Sequence, residues 1–121
     1  MKKQILVNSP WLKVVCETAR FPDGTSIKGF YTVERPTYAA AVPLLKNQEI
    51  MLVRQYRHGH RQNILNLPMG VIAKKEKPTD TARRELLEEI GYRTKDTSFL
   101  GAFQNNPPSC GSPATFSLQE D

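Results

Sequence analysis

The sequence predicts an α+β domain. Three features carry that prediction: strand-forming runs separated by turn signals over residues 11–57, one helical stretch with both ends marked over residues 79–90, and further strand-forming runs after it. A chain of 121 residues is long enough for one compact core and short for two. With 39% hydrophobic and 24% charged residues it has the composition of a globular protein, and no tract is polar enough to read as disordered.

The first two strands are predicted from Trp11 to Phe21 and from Ser26 to Glu34, around Pro22-Asp23-Gly24-Thr25, a turn in which Gly24 can take a positive φ. After Arg35-Pro36, the runs Tyr38–Leu45 and Ile50–Arg57 flank the polar Lys46-Asn47-Gln48-Glu49, and a second hairpin with largely buried strands is expected. Residues 58–63 read as a loop, and Ile64–Pro68 as a short strand running into Met69-Gly70.

The helix is predicted over Thr79–Ile90. Pro78 suits a first helical position, Thr79 can cap, Asp80 places negative charge at the helix start, and Gly91 supplies a left-handed stop. Beyond it, Ser98–Phe103 reads as a strand and residues 105–113, with three prolines and a glycine, as loop. A last strand is expected from Ala114 to Leu118, cut short by the chain end and leaving its sheet incomplete with an open edge.

No run approaches the roughly 20 apolar residues of a membrane span, and the start stops short of a secretory signal, so a cytoplasmic location and no membrane partner are expected. Cys16 and Cys110 lack metal-ligand spacing and are read as free thiols. The net charge of +5 suits an anionic partner. Its basic residues are spread along the chain without interleaved aromatics, which favours a phosphorylated metabolite over nucleic acid.

On a helix turning about 100° per residue, Glu85, Glu88 and Glu89 share roughly a third of the circumference. Ala82, Leu86, Leu87 and Ile90 are expected on the other side, packed on a sheet. A solvated acidic face is one reading of the three carboxylates. Like charges four residues apart repel, however, and a hard divalent cation that prefers oxygen ligands would relieve that repulsion beyond what Arg84 can do.

The wider pattern favours the cation. From Gly70, five residues lead to Glu76 and seven more to Arg84, followed by Glu85-Leu86-Leu87-Glu88-Glu89-Ile90-Gly91-Tyr92. This resembles the Nudix box at every fixed position, with only Tyr92 departing, an aromatic where an aliphatic residue is usual. The resemblance implies a mixed β-sheet packed with helices in an α/β/α sandwich over residues 37–121, C-terminally incomplete here, preceded by an N-terminal hairpin region over residues 1–36. It also implies hydrolysis of a diphosphate linkage with Mg²⁺, or Mn²⁺ as the alternative, held by Glu85, Glu89, Glu88 and the backbone carbonyl of Met69. Glu76 and Arg84 would organise the catalytic face.

Pro107, 16 residues beyond Gly91, is similar to the branch acting on ADP-ribose and related ADP-sugars, giving AMP and a sugar phosphate. In that branch an arginine of the Arg54-Gln55-Tyr56-Arg57 strand reaches the substrate phosphates; Arg57 is the closer match and Arg54 the second, the alternative being a solvated or carboxylate-paired arginine. The guanidinium fork suits phosphate oxygens. His58 and His60 lack a third ligand and are not read as a metal site. Asn66 departs from the glutamate usual before the Leu-Pro step. The branch's base, a glutamate on a later loop, has no counterpart in these residues, so no base is assigned.

The resemblance further implies a symmetric homodimer, with Trp11 to Glu34 at the interface. Two other functions stay open at this point: hydrolysis of nucleoside triphosphates or dinucleoside polyphosphates, and nucleotide sensing without cleavage.

Overall fold

The computed structural model describes residues 3–104 and 113–120. The chain divides into two compact units, one built on the segment up to Pro36 and the other on Thr37–Phe103 together with the strand that follows Pro113.

The first unit is a three-stranded antiparallel sheet of β1 (Gln4–Asn8), β2 (Lys13–Arg20) and β3 (Ser26–Glu34), in the order β1-β2-β3. The hairpin expected around Gly24 is present, with Gly24 at φ 86°. The Asp23 carboxylate accepts from the Thr25 hydroxyl at 2.7 Å and the Thr25 amide at 2.9 Å, which lowers its pKa. β2 starts at Lys13 rather than Trp11, because the Ser9 hydroxyl accepts from the Leu12 amide at 3.0 Å and bends the chain there. β1 was not expected; Ile5, Leu6 and Val7 in it are all exposed, so no alternation marks it. Cys16 is a buried free thiol, and Cys110 lies outside the described residues.

The second unit contains β4 (Tyr38–Leu44), β5 (Val53–Arg57), β6 (Gln62–Asn66), β7 (Met69–Val71), α1 (Pro78–Ile90), β8 (Asp96–Gln104) and β9 (Pro113–Glu120). Four strands form a mixed sheet in the order β7-β4-β9-β8, with β4 antiparallel to β7 and parallel to β9. Among the described residues β5 and β6 form a two-stranded antiparallel sheet of their own.

This topology corrects two expectations. The chain does turn at Lys46–Glu49, where the Leu45 and Gln48 amides close 2.8 Å bonds and the isolated bridge Leu44–Ile50 follows, but among the described residues β4 and β5 share no ladder. Both edges of β4 are taken by β7 and β9, so β5 pairs instead with β6 through a tight turn at His58–Arg61, and Gln62 and Asn63 are strand rather than loop. The last strand is also not an open edge. β9 runs from Pro113 to Glu120 between β4 and β8, in continuous register with β4 from Tyr38–Ala114 to Leu44–Glu120.

α1 packs on β4 and β7. Ala82 and Leu86 of the helix meet Ala39 and Ala41 of the strand, all fully buried, with Ile72, Ile90 and Tyr92 around them. The small alanine side chains let helix and sheet approach closely. Leu87 was expected on this face but is 36% exposed. It lies a further 100° or so round the helix from Leu86, beyond the stripe that Ala82, Leu86 and Ile90 define. The cap is Lys77 rather than Thr79, with no side-chain cap bond and Pro78 as first helical residue; Gly91 ends the helix at φ 70°, its amide donating to the Leu87 carbonyl. Among the described residues no helix is long and apolar enough to cross a membrane.

Candidate active site

The acidic face of α1 is organised by one side chain. Arg84 projects between α1 and the segment that follows β7, where its Nε and Nη2 grip the two Glu76 carboxylate oxygens at 3.1 and 3.2 Å. Its Nη2 also donates to the Val71 carbonyl at 3.4 Å, and the Ala73 amide donates to Glu76 at 3.2 Å. The Arg84 fork and that amide stabilise the Glu76 carboxylate and lower its pKa to about 2. Glu76, together with Glu85, in turn raises the pKa of Arg84, which stays a cation throughout.

The remaining nitrogen of the fork, Nη1, donates to Glu85 Oε1 at 2.6 Å and to Glu88 Oε2 at 3.3 Å. Glu85 is thereby fixed and only 12% exposed, whereas the Glu88 side chain is 58% exposed. Glu89 lies on the flank nearer the core, and its Oε2 is buried without a hydrogen-bond partner among the described residues.

Gly70 explains why the face can sit so close to the sheet. A Cβ at that position would collide with the carboxylate of Glu85. The glycine is required for this approach and not for its backbone angles.

Gly70 and Met69 also line a hollow of about 360 Å³, with Tyr38, Val71, Arg57, His60, Ile64 and Asn66. Exposure alternates along β5, placing Val53, Gln55 and Arg57 toward the interior and Arg54 and Tyr56 toward solvent. The structure therefore separates the two candidate arginines. Arg57 lines the hollow, and Arg54 faces the other way. Arg57 makes no ion pair among the described residues, so the reading in which a carboxylate holds it finds no support.

The donor set suits a hard divalent cation such as Mg²⁺ or Mn²⁺: Glu85, Glu88 and Glu89 offer oxygen ligands, and the buried Glu89 Oε2 lacks a donor that would otherwise compensate it. With the side chains as they stand, no three His, Cys, Asp or Glu residues converge on one point among the described residues. The positive charge between Glu85 and Glu88 is that of Arg84. Pro107 lies outside the described residues. The His58 ring lies tilted by 59° to that of Tyr56, with centroids 6.3 Å apart, while His60 lines the hollow. Tyr38, Ile64 and Val71 are lining residues that the sequence reading missed. Alternation along β6, where Ile64 and Asn66 share a face, was the available signal for one of them.

The NUDIX domain family matches residues 35–116. Among characterised proteins, the chain is 30% identical over 105 residues to the ADP-ribose pyrophosphatase of Bacillus subtilis (strain 168), covering 87% of this chain and 56% of that protein. It is 29% identical over 107 residues to the methanol dehydrogenase activator of Bacillus methanolicus, covering 88% of this chain and 57% of that protein. The chain thus spans little more than half the length of either relative. The crystal structure of an ADP compounds hydrolase superposes on all of this chain and 65% of its own, with a TM-score of 0.82 at 22% identity, and so shares its fold.

Proposed function

Because the chain belongs to the NUDIX domain family, we propose that it hydrolyses the diphosphate linkage of ADP-ribose or a related nucleoside diphosphate sugar, giving AMP and a sugar phosphate. The observation that carries this reading is the adjacency created at Gly70: one side meets the Glu85 carboxylate, and the same residue lines the hollow that holds Arg57. Metal-ligating oxygen and phosphate-binding guanidinium are thereby arranged around one strand. The relative that is an ADP-ribose pyrophosphatase supports the choice of substrate.

Glu85 and Glu89, with Glu88 and the Met69 carbonyl, are the groups that would hold Mg²⁺ or Mn²⁺, whose chemistry is to neutralise diphosphate oxygens and acidify an attacking water. The chain's own residues do the rest. Arg57 presents a planar fork to phosphate oxygens and fixes their orientation. Arg84, anchored by Glu76, holds Glu85 against Gly70 so that the carboxylate does not have to be ordered during turnover.

We also propose a homodimer formed through Trp11 to Glu34, supported by the exposure of Trp11 (71%), Tyr31 (57%) and Ile27 (51%). Light scattering tests it, and a monomer refutes it.

The test of the activity is a panel of ADP-ribose, other nucleoside diphosphate sugars, diadenosine polyphosphates and triphosphates, run with Mg²⁺, with Mn²⁺ and with chelator. ADP-ribose is expected to give the highest kcat/KM, with metal required. Glu85→Gln and Glu89→Gln are expected to lower turnover by orders of magnitude without unfolding the chain. A triphosphate as best substrate overturns the substrate class, and binding without cleavage favours nucleotide sensing.

A further inference from the structure

Asn66 is unexplained by anything described so far. It ends β6 and lines the hollow with Arg57, His60, Met69 and Gly70, and its amide nitrogen Nδ2 is buried with no hydrogen-bond partner among the described residues. A buried N–H without an acceptor loses its hydration and gains nothing in return. Such a group calls for a partner, and the hollow that Asn66 lines is where one can enter. Its neighbours narrow the choice. Arg57 carries five N–H donors and no acceptor, and His60 has a donor in either tautomer, so with the Asn66 amide this wall of the hollow offers donors to an oxygen-rich, anionic group.

We propose that Asn66 is a substrate-contacting residue whose Nδ2 donates to a phosphoryl oxygen of the bound nucleotide, beside the Arg57 guanidinium. This rests on the nucleotide-hydrolase reading and assigns one part of its specificity. A neutral amide suits this role because, unlike the carboxylate usual before the Leu-Pro step, it brings an N–H donor to a phosphoryl oxygen. An apolar residue would seal the wall and bind no oxygen. The amide is therefore kept at a cost to the unliganded fold that the ligand removes.

That cost gives the test its signature. Asn66→Leu removes the unpaired donor, so it is expected to raise Tm and at the same time weaken binding of AMP and inorganic pyrophosphate roughly ten- to a hundredfold by calorimetry, the size of a charge-assisted hydrogen bond. Adenosine, which has no phosphate, is the control ligand, and its affinity is expected to stay unchanged. Asn66→Asp keeps the shape and places oxygen at both ends of the side chain; it is expected to weaken phosphate binding at least as much, and it carries the test if the leucine variant does not fold. A leucine variant with lower Tm and wild-type affinity makes Asn66 a structural residue and overturns the proposal, as does an aspartate variant that binds pyrophosphate like wild type. Loss of adenosine affinity equal to that of AMP overturns the phosphate assignment. Because binding is read without turnover, an inactive wild type that still binds AMP through Asn66 counts against the hydrolase reading alone.

Discussion

Replacing Gly70 by alanine adds one methyl group and should separate catalysis from stability. The new Cβ would overlap the Glu85 carboxylate, which is the far end of a flexible side chain, while β7 keeps its pairing with Ala39. Glu85 therefore swings aside instead of the strand moving. The swing breaks its 2.6 Å bond to Arg84, a charge-assisted contact whose loss costs about 1.5–3 kcal/mol, less whatever water restores at the partly exposed Arg84. A net loss of about 1–2 kcal/mol corresponds to a Tm lower by roughly 4–10 °C for a domain of this size.

The effect on rate should be far larger, because displacing a positioned catalytic group by about 1 Å can cost roughly 100-fold. Gly91→Ala is the matched control. Gly91 sits at φ 70° with nothing within 4 Å of an added Cβ, so alanine there strains the backbone by about 1–2 kcal/mol and touches no catalytic group. Steady-state ADP-ribose hydrolysis and thermal melts on both variants read the two effects. The reasoning fails if Gly70→Ala keeps wild-type kcat/KM, or if Gly91→Ala loses as much activity for the same drop in Tm.

Arg57→Ala should raise KM for ADP-ribose roughly tenfold or more, while Arg54→Ala, on the opposite face of β5, should stay within about twofold; equal effects would show that strand alternation does not select the phosphate ligand. The Glu76 carboxyl, followed by NMR in metal-free protein, should titrate at about 2 instead of its ordinary 4.5, and Arg84→Ala should return it toward 4.5. Since this pKa is depressed on folding, its contribution to stability is complete above about pH 4.5 and lost as pH falls toward 2. A wild-type midpoint near 4.5 would refute the clamp. Leu86→Ala should destabilise by about 2–5 kcal/mol in denaturant titration, because the fully buried side chain holds α1 to Ala39 and Ala41; a loss below about 1 kcal/mol would mean that the helix is held elsewhere.

The parts legible in the sequence were those fixed by local chemistry. Pro78 and Gly91 bracket α1, and three-four spacing puts Ala82, Leu86 and Ile90 on one side of it. The acidic residues were readable for the same reason. What escaped was decided by partners remote in sequence. Tyr38–Leu44 looks like the first arm of a hairpin because Lys46–Glu49 is a good turn, and nothing local announces that β9 will pair with it in parallel. β1 escaped because its apolar residues run together without alternating. Arg57 and Arg54 are distinguishable once strand alternation is applied. Asn66 could be seen to depart from a pattern, but the unpaired state of its amide is a property of three dimensions.

The parallel pairing of β4 with β9 sets an order of events during synthesis. Tyr38 and its partner Ala114 are 76 residues apart. At about 5–20 residues per second the ribosome delivers β9 roughly 4–15 s after β4. Until then α1 can cover one face of β4, and β7 one edge, but the edge destined for β9 presents free backbone groups along Ala39-Ala40-Ala41-Val42. A nascent chain with such an edge can capture a strand from a neighbour on the same polysome. A holdase that shields the edge until β9 arrives is expected to raise the yield of folded protein.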